Sequence, residues 1–397
     1  MKYNMRYNRC IIMLLAILIA FAGCSKMDEY KKYVKSGEIS YTGKIDSLQI
    51  FSGNKRVLIK GLFLSDPKID KCVIYWNSKK DSAVIKVNRT QGVDTLKYLI
   101  NNLEDNVYNF EILTYDKLGN ASIPVYAVGT AYGERYQASL GNRPISKKEL
   151  YAGDLTTSLV FGSMDRTSGV FATEIQYKDQ GGISRKLLIP IDSTSIILSD
   201  YAIGSEFEYR TLFLPDTSCI DTFYSAYTAA EPSVVYLLNL GDQFTHAEWD
   251  GGRWGVLENW ITNDDTKNAG GDKYGGYELR GGVGVLSFEA GWGLRAVPNG
   301  KIYQKTTLPP GDYTFTPSGI EAGSAGVIYA AVAQGDELPD FDLVGSESIA
   351  ATRITTGGES LQFHLDKTTS VAIGFVANMP DVGSYFKVKK IQFTKID

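Results

Sequence analysis

The sequence predicts an all-β chain made of several sandwich domains. Short runs alternate apolar and polar residues and are punctuated by Gly, Asn, Asp and Pro, whereas no long stretch repeats with the helical period. Aromatic residues reach 12%, with 25 Tyr, and 40 glycines supply turn positions. Both are expected of strands joined by tight loops. At 397 residues the chain exceeds one ordinary domain, so two or three are expected.

Residues 39–133 read as a first small sandwich. Its strands are Arg56 to Leu64, Cys72 to Trp76, Ala83 to Val87 and Tyr108 to Tyr115. In Leu103-Glu104-Asp105-Asn106-Val107-Tyr108 a leucine, a polar turn and a tyrosine open an alternating strand. That pattern suits a tyrosine corner, whose phenol bonds back to upstream backbone. Asp116 to Asn120 supplies the next turn, and Trp76, inside a strand, reads as structural. Residues 134–231 read as a second sandwich, with Ile189 to Leu198 and Phe207 to Leu214 its clearest strands. The run Phe207 to Thr211 echoes Tyr108 to Ile112, a degenerate internal repeat. Residues 232–397 hold four of the five tryptophans and recurrent glycine pairs. Their alternating runs, Lys301 to Leu308, Tyr313 to Thr316, Gly326 to Ala333, Val371 to Ala377 and Phe386 to Phe393, suggest a jelly roll of about eight strands.

The N-terminus carries Lys2, Arg6 and Arg9, then an apolar run from Ile11 to Phe21, then Ala22-Gly23-Cys24. This is the anatomy of a secretory signal over residues 1–23, too short to span a membrane. The FAGC sequence resembles the bacterial lipobox, which implies cleavage before Cys24 and acylation of its sulfur. Stable anchoring takes two lipid signals, consistent with diacylation there. Residues 24–38 would be the tether. Their Ser25-Lys26-Met27-Asp28-Glu29 resembles the surface-export signal of Bacteroidota lipoproteins, which implies an outer-membrane protein facing the exterior. A net charge of −4 argues against a nucleic-acid partner. Cys72 and Cys219 are too far apart to form a disulfide scaffold and show no metal spacing, so each reads as a small buried hydrophobe.

Together the first-sandwich segments resemble a fibronectin type III module. The chain therefore reads as two fibronectin III-like sandwiches followed by a C-terminal jelly-roll sandwich. Gly37 to Ser47, Cys72 to Asn77, Asp116 to Asn120 and Tyr132 to Arg143 resemble uncharacterised Bacteroidota surface lipoproteins encoded beside polysaccharide-uptake systems. The last region resembles the galactose-binding-like and carbohydrate-binding jelly rolls appended to such proteins. Its most specific segment is Lys301 to Tyr313, a core strand, a Pro-Gly turn and a return strand. The resemblance implies capture of a glycan or polysaccharide at the cell surface, and carries over no set of ligand residues.

The residues themselves favour binding over catalysis. Only His246 and His364 exist, and there is no nucleophile elbow, phosphate loop or HExxH. A glycosidase would need two facing carboxylates, and nothing in the sequence places two of the 45 acids together. Sugar rings present C–H faces to flat aromatic groups while neighbouring polar side chains read their hydroxyls. Both ingredients occur at Trp249, Arg253 and Trp254, at Trp260, and at Tyr274, Arg280, Trp292 and Arg295. Tryptophan is usually buried, so about half of these four are expected in the core, with Trp249 and Trp254 the better candidates for exposure. No cofactor is implied. Asp264, Asp265 and Asp272 could gather around a structural calcium ion, though their spacing matches no EF-hand and a solvated turn is the better reading. The competing function is an adhesive or structural protein, or a subunit docked on an outer-membrane transporter complex. Its aromatics would then form a flat patch for a protein partner.

Overall fold

The computed structural model describes residues 41–64 and 66–396. The predicted signal, the tether and Cys24 lie outside the described residues. The chain divides into two compact units, one running to Tyr136 and including Asp216–Asp221, the other formed by Gln137–Pro215 and Thr222 onward.

The first unit contains strands β1 (Asp46–Asn54), β2 (Arg56–Phe63), β3 (Ile69–Trp76), β4 (Asp81–Lys86), β5 (Asp94–Asn101), β6 (Asn106–Asp116) and β7 (Val125–Tyr132). They run in the order β4-β3-β6-β7-β1-β2-β5. All pairs are antiparallel except β7 with β1, which touch in parallel only at Gly53↔Ala131 and Asn54↔Tyr132. That short parallel seam is a corner joining a three-strand layer to a four-strand layer, the connectivity of a fibronectin type III sandwich. Strict alternation sends Val57, Ile59 and Phe63 of β2 inward against Ile74, Phe110 and Ile112. The tyrosine corner forms as its spacing predicts: the Tyr108 hydroxyl donates to the Glu104 carbonyl at 3.1 Å. The following turn is closed by the Asp116 carboxylate, which accepts from the Leu118 and Asn120 amides at 2.9 Å each. Asp216–Asp221, expected in the second sandwich, belongs to this unit because the Asp221 carboxylate receives the Arg56 guanidinium at 2.5 and 2.9 Å.

In the second unit, the sandwich strands are β8 (Ile145–Tyr151), β9 (Thr156–Phe161), β10 (Val170–Lys178), β11 (Ser184–Pro190) and β12 (Ser195–Leu198). They continue with β13 (Phe207–Phe213), β14 (Phe223–Tyr224), β15 (Thr228–Ala230) and β16 (Ser233–Val235). The layers β12-β9-β8-β16 and β11-β10-β13-β14, with β15 also on β13, repeat the strand order of the first sandwich, except that its closing strand is broken into β14, β15 and β16, the last of which makes the parallel pair with β8. The internal repeat hinted at by Phe207 to Thr211 is therefore one of topology. The single strand expected from Ile189 to Leu198 is two, because the chain turns at Pro190–Ser193 to cross between layers.

The same unit continues with β17 (His246–Trp249), β18 (Trp254–Leu257), β19 (Ile261–Thr262), β20 (Gly276–Arg280), β21 (Val283–Ala290), β22 (Val297–Leu308) and β23 (Gly311–Ser318). It ends with β24 (Glu321–Ala322), β25 (Val327–Gln334), β26 (Ala350–Arg353), β27 (Leu361–Leu365), β28 (Thr369–Met379), β29 (Ser384–Val388) and β30 (Lys390–Ile396). A five-strand layer, β19-β22-β28-β25-β26, faces a second layer across Phe288, Ile302, Phe315, Ile328, Phe375 and Phe386. That second layer joins β17-β18-β20-β21-β29-β24 to β27-β23-β30, since β23 pairs with β30 and β24 with β29 on either side of one kink. Kinked strands and short edge strands raise the number above the eight expected. The Pro309-Pro310-Gly311 turn carries the chain from one layer to the other, so β23 does not return beside β22. Cys72 is buried as expected, and burial pushes its thiol up to about 12, while Cys219 is only half-buried.

Candidate functional site

The outward side of β18, β20, β21 and β29 carries an ionic cluster where an apolar or solvated surface would be ordinary. Along β21 and β29, Leu286, Phe288, Phe386 and Val388 point into the core. The alternate residues Ser287, Glu289, Tyr385 and Lys387 point outward, with Ser287 opposite Lys387 and Glu289 opposite Tyr385. Lys387 is fully buried, and its ammonium contacts Glu278 at 2.5 Å, Glu289 at 2.6 Å and the Ser287 hydroxyl at 2.7 Å. Arg253 reaches in from the β17–β18 turn, donating to Glu278 at 2.8 Å and to Glu289 at 2.5 Å. Two cations and two carboxylates thus compensate one another, which a buried charge requires. Burial works to raise the Glu278 carboxyl, but Lys387 and Arg253 outweigh it and hold it below the usual carboxylate range.

Trp254 closes this cluster. Its ring has the Arg253 guanidinium 4.1 Å from the centroid and the Lys387 ammonium 5.4 Å away. Both distances are in cation–π range, so two cations hold the half-buried indole against the cluster. On the other side Arg280 donates to Glu321 at 2.9 Å and lies 5.8 Å from the Tyr385 ring. Tyr385 in turn neighbours Trp292 at 6.4 Å. Trp292 is 69% exposed and sits in the left-handed region at φ 52°, between Gly291 and Gly293. Its indole rests on Gly383, where an added Cβ would come within 2.8 Å of the ring. The face therefore presents three aromatic rings around fixed charges.

Of the residues singled out in the sequence, the structure brings together Arg253, Trp254, Arg280 and Trp292. Trp249 lies on the opposite side of the sheet: it pairs with Gly255, whose inward side meets Tyr277 and His246, and its ring lies 5.2 Å from that of His246, tilted by 30°. Trp260 departs from its expected role. It is 5% exposed, packs in the core and donates its indole N–H to the Asn239 carbonyl at 2.9 Å, so no ring face is left for a ligand. Arg295 and Tyr274 belong to the neighbouring glycine-rich loop. The Arg295 guanidinium donates to the Asp264 carbonyl at 2.5 Å and the Asp272 carboxylate at 2.9 Å, and lies 3.5 Å from Asp265. A protein cation thus stands among the three acids considered for calcium. Among the described residues no group of three or more His, Cys, Asp or Glu is placed to hold a metal ion.

Sequence reasoning missed Glu278, Glu289, Glu321, Tyr385 and Lys387. Their signal was a polar residue at every second position of otherwise apolar strands, which reads equally as a solvated face.

A family model described as a domain of unknown function, DUF4998, matches residues 24–223. A second domain of unknown function, DUF5013, matches residues 238–374. Among curated proteins nothing matches. Solved structures with similarity include a two-domain fibronectin type III segment of chicken tenascin, at 12% identity over 47% of this chain and 98% of that one, TM-score 0.21. The FN1–FN3 domains of chicken CNTN1 match at 12% identity over 49% and 67%, TM-score 0.27. A bacterial ice-binding adhesin matches at 9% identity over 90% and 98%, TM-score 0.29.

Proposed function

This chain belongs to the DUF4998 family of domains of unknown function, and we propose that it captures a glycan reversibly and without catalysis on the Trp254–Tyr385–Trp292 face of its jelly roll. The chain would be held to the outer membrane by acylated Cys24, facing the exterior. The observation that carries the reading is the Trp254 indole clamped over the Lys387–Glu278–Glu289–Arg253 cluster. Rings fixed before binding lose little freedom when a sugar stacks on them, and preorganisation of this kind is a main source of affinity. Arg280 and Glu321 at the rim supply partners for hydroxyls, giving the apolar walls and few polar groups typical of small-ligand sites.

The same cluster argues against glycoside hydrolysis. A catalytic acid needs a carboxyl kept protonated near neutral pH. Glu278 is held in the opposite direction, and both carboxylates are bound to Lys387.

The test is affinity electrophoresis of the chain from residue 25 onward in gels containing starch, β-glucan, xylan, mannan, pectin or mucin. Retardation by one class, weakened about ten-fold by Trp254→Ala with an unchanged far-UV spectrum, is expected. Retardation that Trp254→Ala leaves intact rejects this face. No retardation of the folded chain shifts the reading to a protein partner, either as an adhesive protein or as a subunit of a transporter complex.

A further inference from the structure

The first sandwich carries an aromatic groove of its own. On the outward side of its four-strand layer, register places Tyr75 opposite Glu111 and Glu111 opposite Tyr126. The three residues form one row across β3, β6 and β7, which sets the Tyr75 and Tyr126 backbone positions roughly 9–10 Å apart at two strand spacings. One position along, Asn109 stands opposite Val128, with no hydrogen-bond partner for its amide among the described residues. Side chains of Tyr75, Lys79, Val107, Asn109, Glu111 and Tyr126 line a groove of about 440 Å³ here.

Lys79 is placed by an unusual turn. Asn77, Ser78 and Lys79 all adopt left-handed backbone, at φ 50°, 55° and 66°. L-residues enter that region only at a cost, and three in succession are uncommon. The turn folds the Lys79 ammonium back onto Glu111 at 2.7 Å, and 5.7 Å from the Tyr75 ring. Tyr126 remains 68% exposed.

The layout discriminates between occupants. A protein-docking patch has its apolar, charge-poor part at the centre and its polar groups around the rim. Here charged and amide groups occupy the middle: Glu111, salt-bridged to Lys79, has a phenol on either side, and Asn109 stands beside it next to Val107 and Val128. Flanking rings and a hydrogen-bonding floor fit a short stretch of sugar chain, whose apolar ring faces and hydroxyls lie at right angles to one another.

We propose that this groove is a second glycan-binding subsite, so that the first sandwich takes part in capture rather than serving as a spacer. It rests on the reading of the chain as a glycan binder but uses none of the residues of the jelly-roll face.

The experiment is calorimetric titration of the chain from residue 25 onward with oligosaccharides of whichever polysaccharide retards it, for wild type, Tyr126→Ala, Asn109→Ala, Trp254→Ala and Tyr126→Ala/Trp254→Ala. Two binding events are expected. Tyr126→Ala and Asn109→Ala should each weaken one of them about ten-fold, Trp254→Ala the other, and the double variant both. Tyr126 and Asn109 are exposed, so their replacement leaves the melting temperature unchanged. One event, abolished by Trp254→Ala and untouched by Tyr126→Ala, overturns the second subsite and leaves the jelly-roll reading standing. One event lost with Tyr126→Ala alone does the reverse. No retardation of the wild-type chain by any polysaccharide overturns both.

Discussion

The Tyr313 hydroxyl donates to the carbonyl of Pro309, four residues upstream, at 2.6 Å. Tyr108 makes the same bond to Glu104 at 3.1 Å in a different domain. In each case a buried leucine, Leu308 or Leu103, stands five residues before the tyrosine. Two sandwiches of different topology thus use one local device where the chain crosses between layers. The phenol fills the core while its oxygen satisfies a turn carbonyl that would otherwise lose its partner.

Tyr313→Phe keeps the ring, which stacks between Phe363 at 5.3 Å and Phe393 at 5.7 Å, and deletes only the hydroxyl, which also bonds with Tyr236. It should destabilise by about 1–2 kcal/mol. Tyr313→Ala removes the ring as well and should cost about 3–5 kcal/mol. Calorimetric melting of both variants checks the difference. Equal losses would show that the hydrogen bond contributes nothing separable from packing.

The Lys387 ammonium bridges two buried carboxylates. Lys387→Met leaves Glu278 and Glu289 facing each other with Arg253 as their shared counter-ion and Arg280 3.5 Å from Glu278, and breaking a buried pair in this way costs about 3–5 kcal/mol. Replacing Glu289 by Gln in the same chain removes the one negative charge that loss of Lys387 leaves unbalanced and should restore part of that loss. A double-mutant cycle measured by urea denaturation reads the coupling. Simple additivity of the two changes would rule out the cluster as a unit.

How much of this was legible beforehand follows from parity. In β2 and β6 the alternation of Val57, Ile59 and Phe63, or of Tyr108, Phe110 and Ile112, names the inward face directly. The Leu-to-Tyr spacing at Tyr108 likewise named its corner. Trp249 and Trp254 were not resolvable in that way. The turn between them breaks the alternation, so which side each faces depends on pairing register, Trp249 with Gly255 and Trp254 with Glu278. Lys387 lies in Phe386-Lys387-Val388-Lys389, a pattern that reads as a solvated face until long-range pairing brings Glu278 and Glu289 over it. The fold was written in local periodicity; the candidate site was written in contacts across the sheet.

In the second sandwich, burial works to raise the Glu174 carboxyl, but Lys186, Tyr227 and Arg210 outweigh it and bring it from an ordinary 4.5 down to about 2. Lys186 lies at 2.7 Å and Arg210 at 2.8 Å. A carboxyl with a depressed folded-state value stabilises the fold above its unfolded value and stops doing so as the pH falls through the folded one. The contribution should therefore be intact above pH 4.5 and drain away toward pH 2. Glu174→Gln should lower the melting temperature at pH 7 and flatten its decline over that acid range. An unchanged acid slope in the variant would place the titration elsewhere.

Trp260 and Trp292 make opposite predictions from the same residue type. Trp260 is 5% exposed, with its N–H bonded to Asn239, so Trp260→Ala should cost about 3–5 kcal/mol through lost packing and a stranded carbonyl. Any effect on a ligand would then follow the loss of the fold. Trp292 is 69% exposed and touches the rest of the domain mainly through Gly383 and Tyr385. Trp292→Ala should leave stability within about 0.5 kcal/mol of wild type, the ordinary range for surface positions. If the outward face holds a sugar, the same change should weaken binding while melting stays put. Gly383→Ala offers the converse control: a Cβ there displaces the indole without deleting it, and at φ 82° it also strains the backbone, so this variant, unlike Trp292→Ala, should melt earlier while keeping the ring. Parallel melting and titration of the three variants separates the roles. A Trp292→Ala chain that melts early but binds normally would assign that tryptophan to the fold, and leave Trp254 and Tyr385 to carry the face.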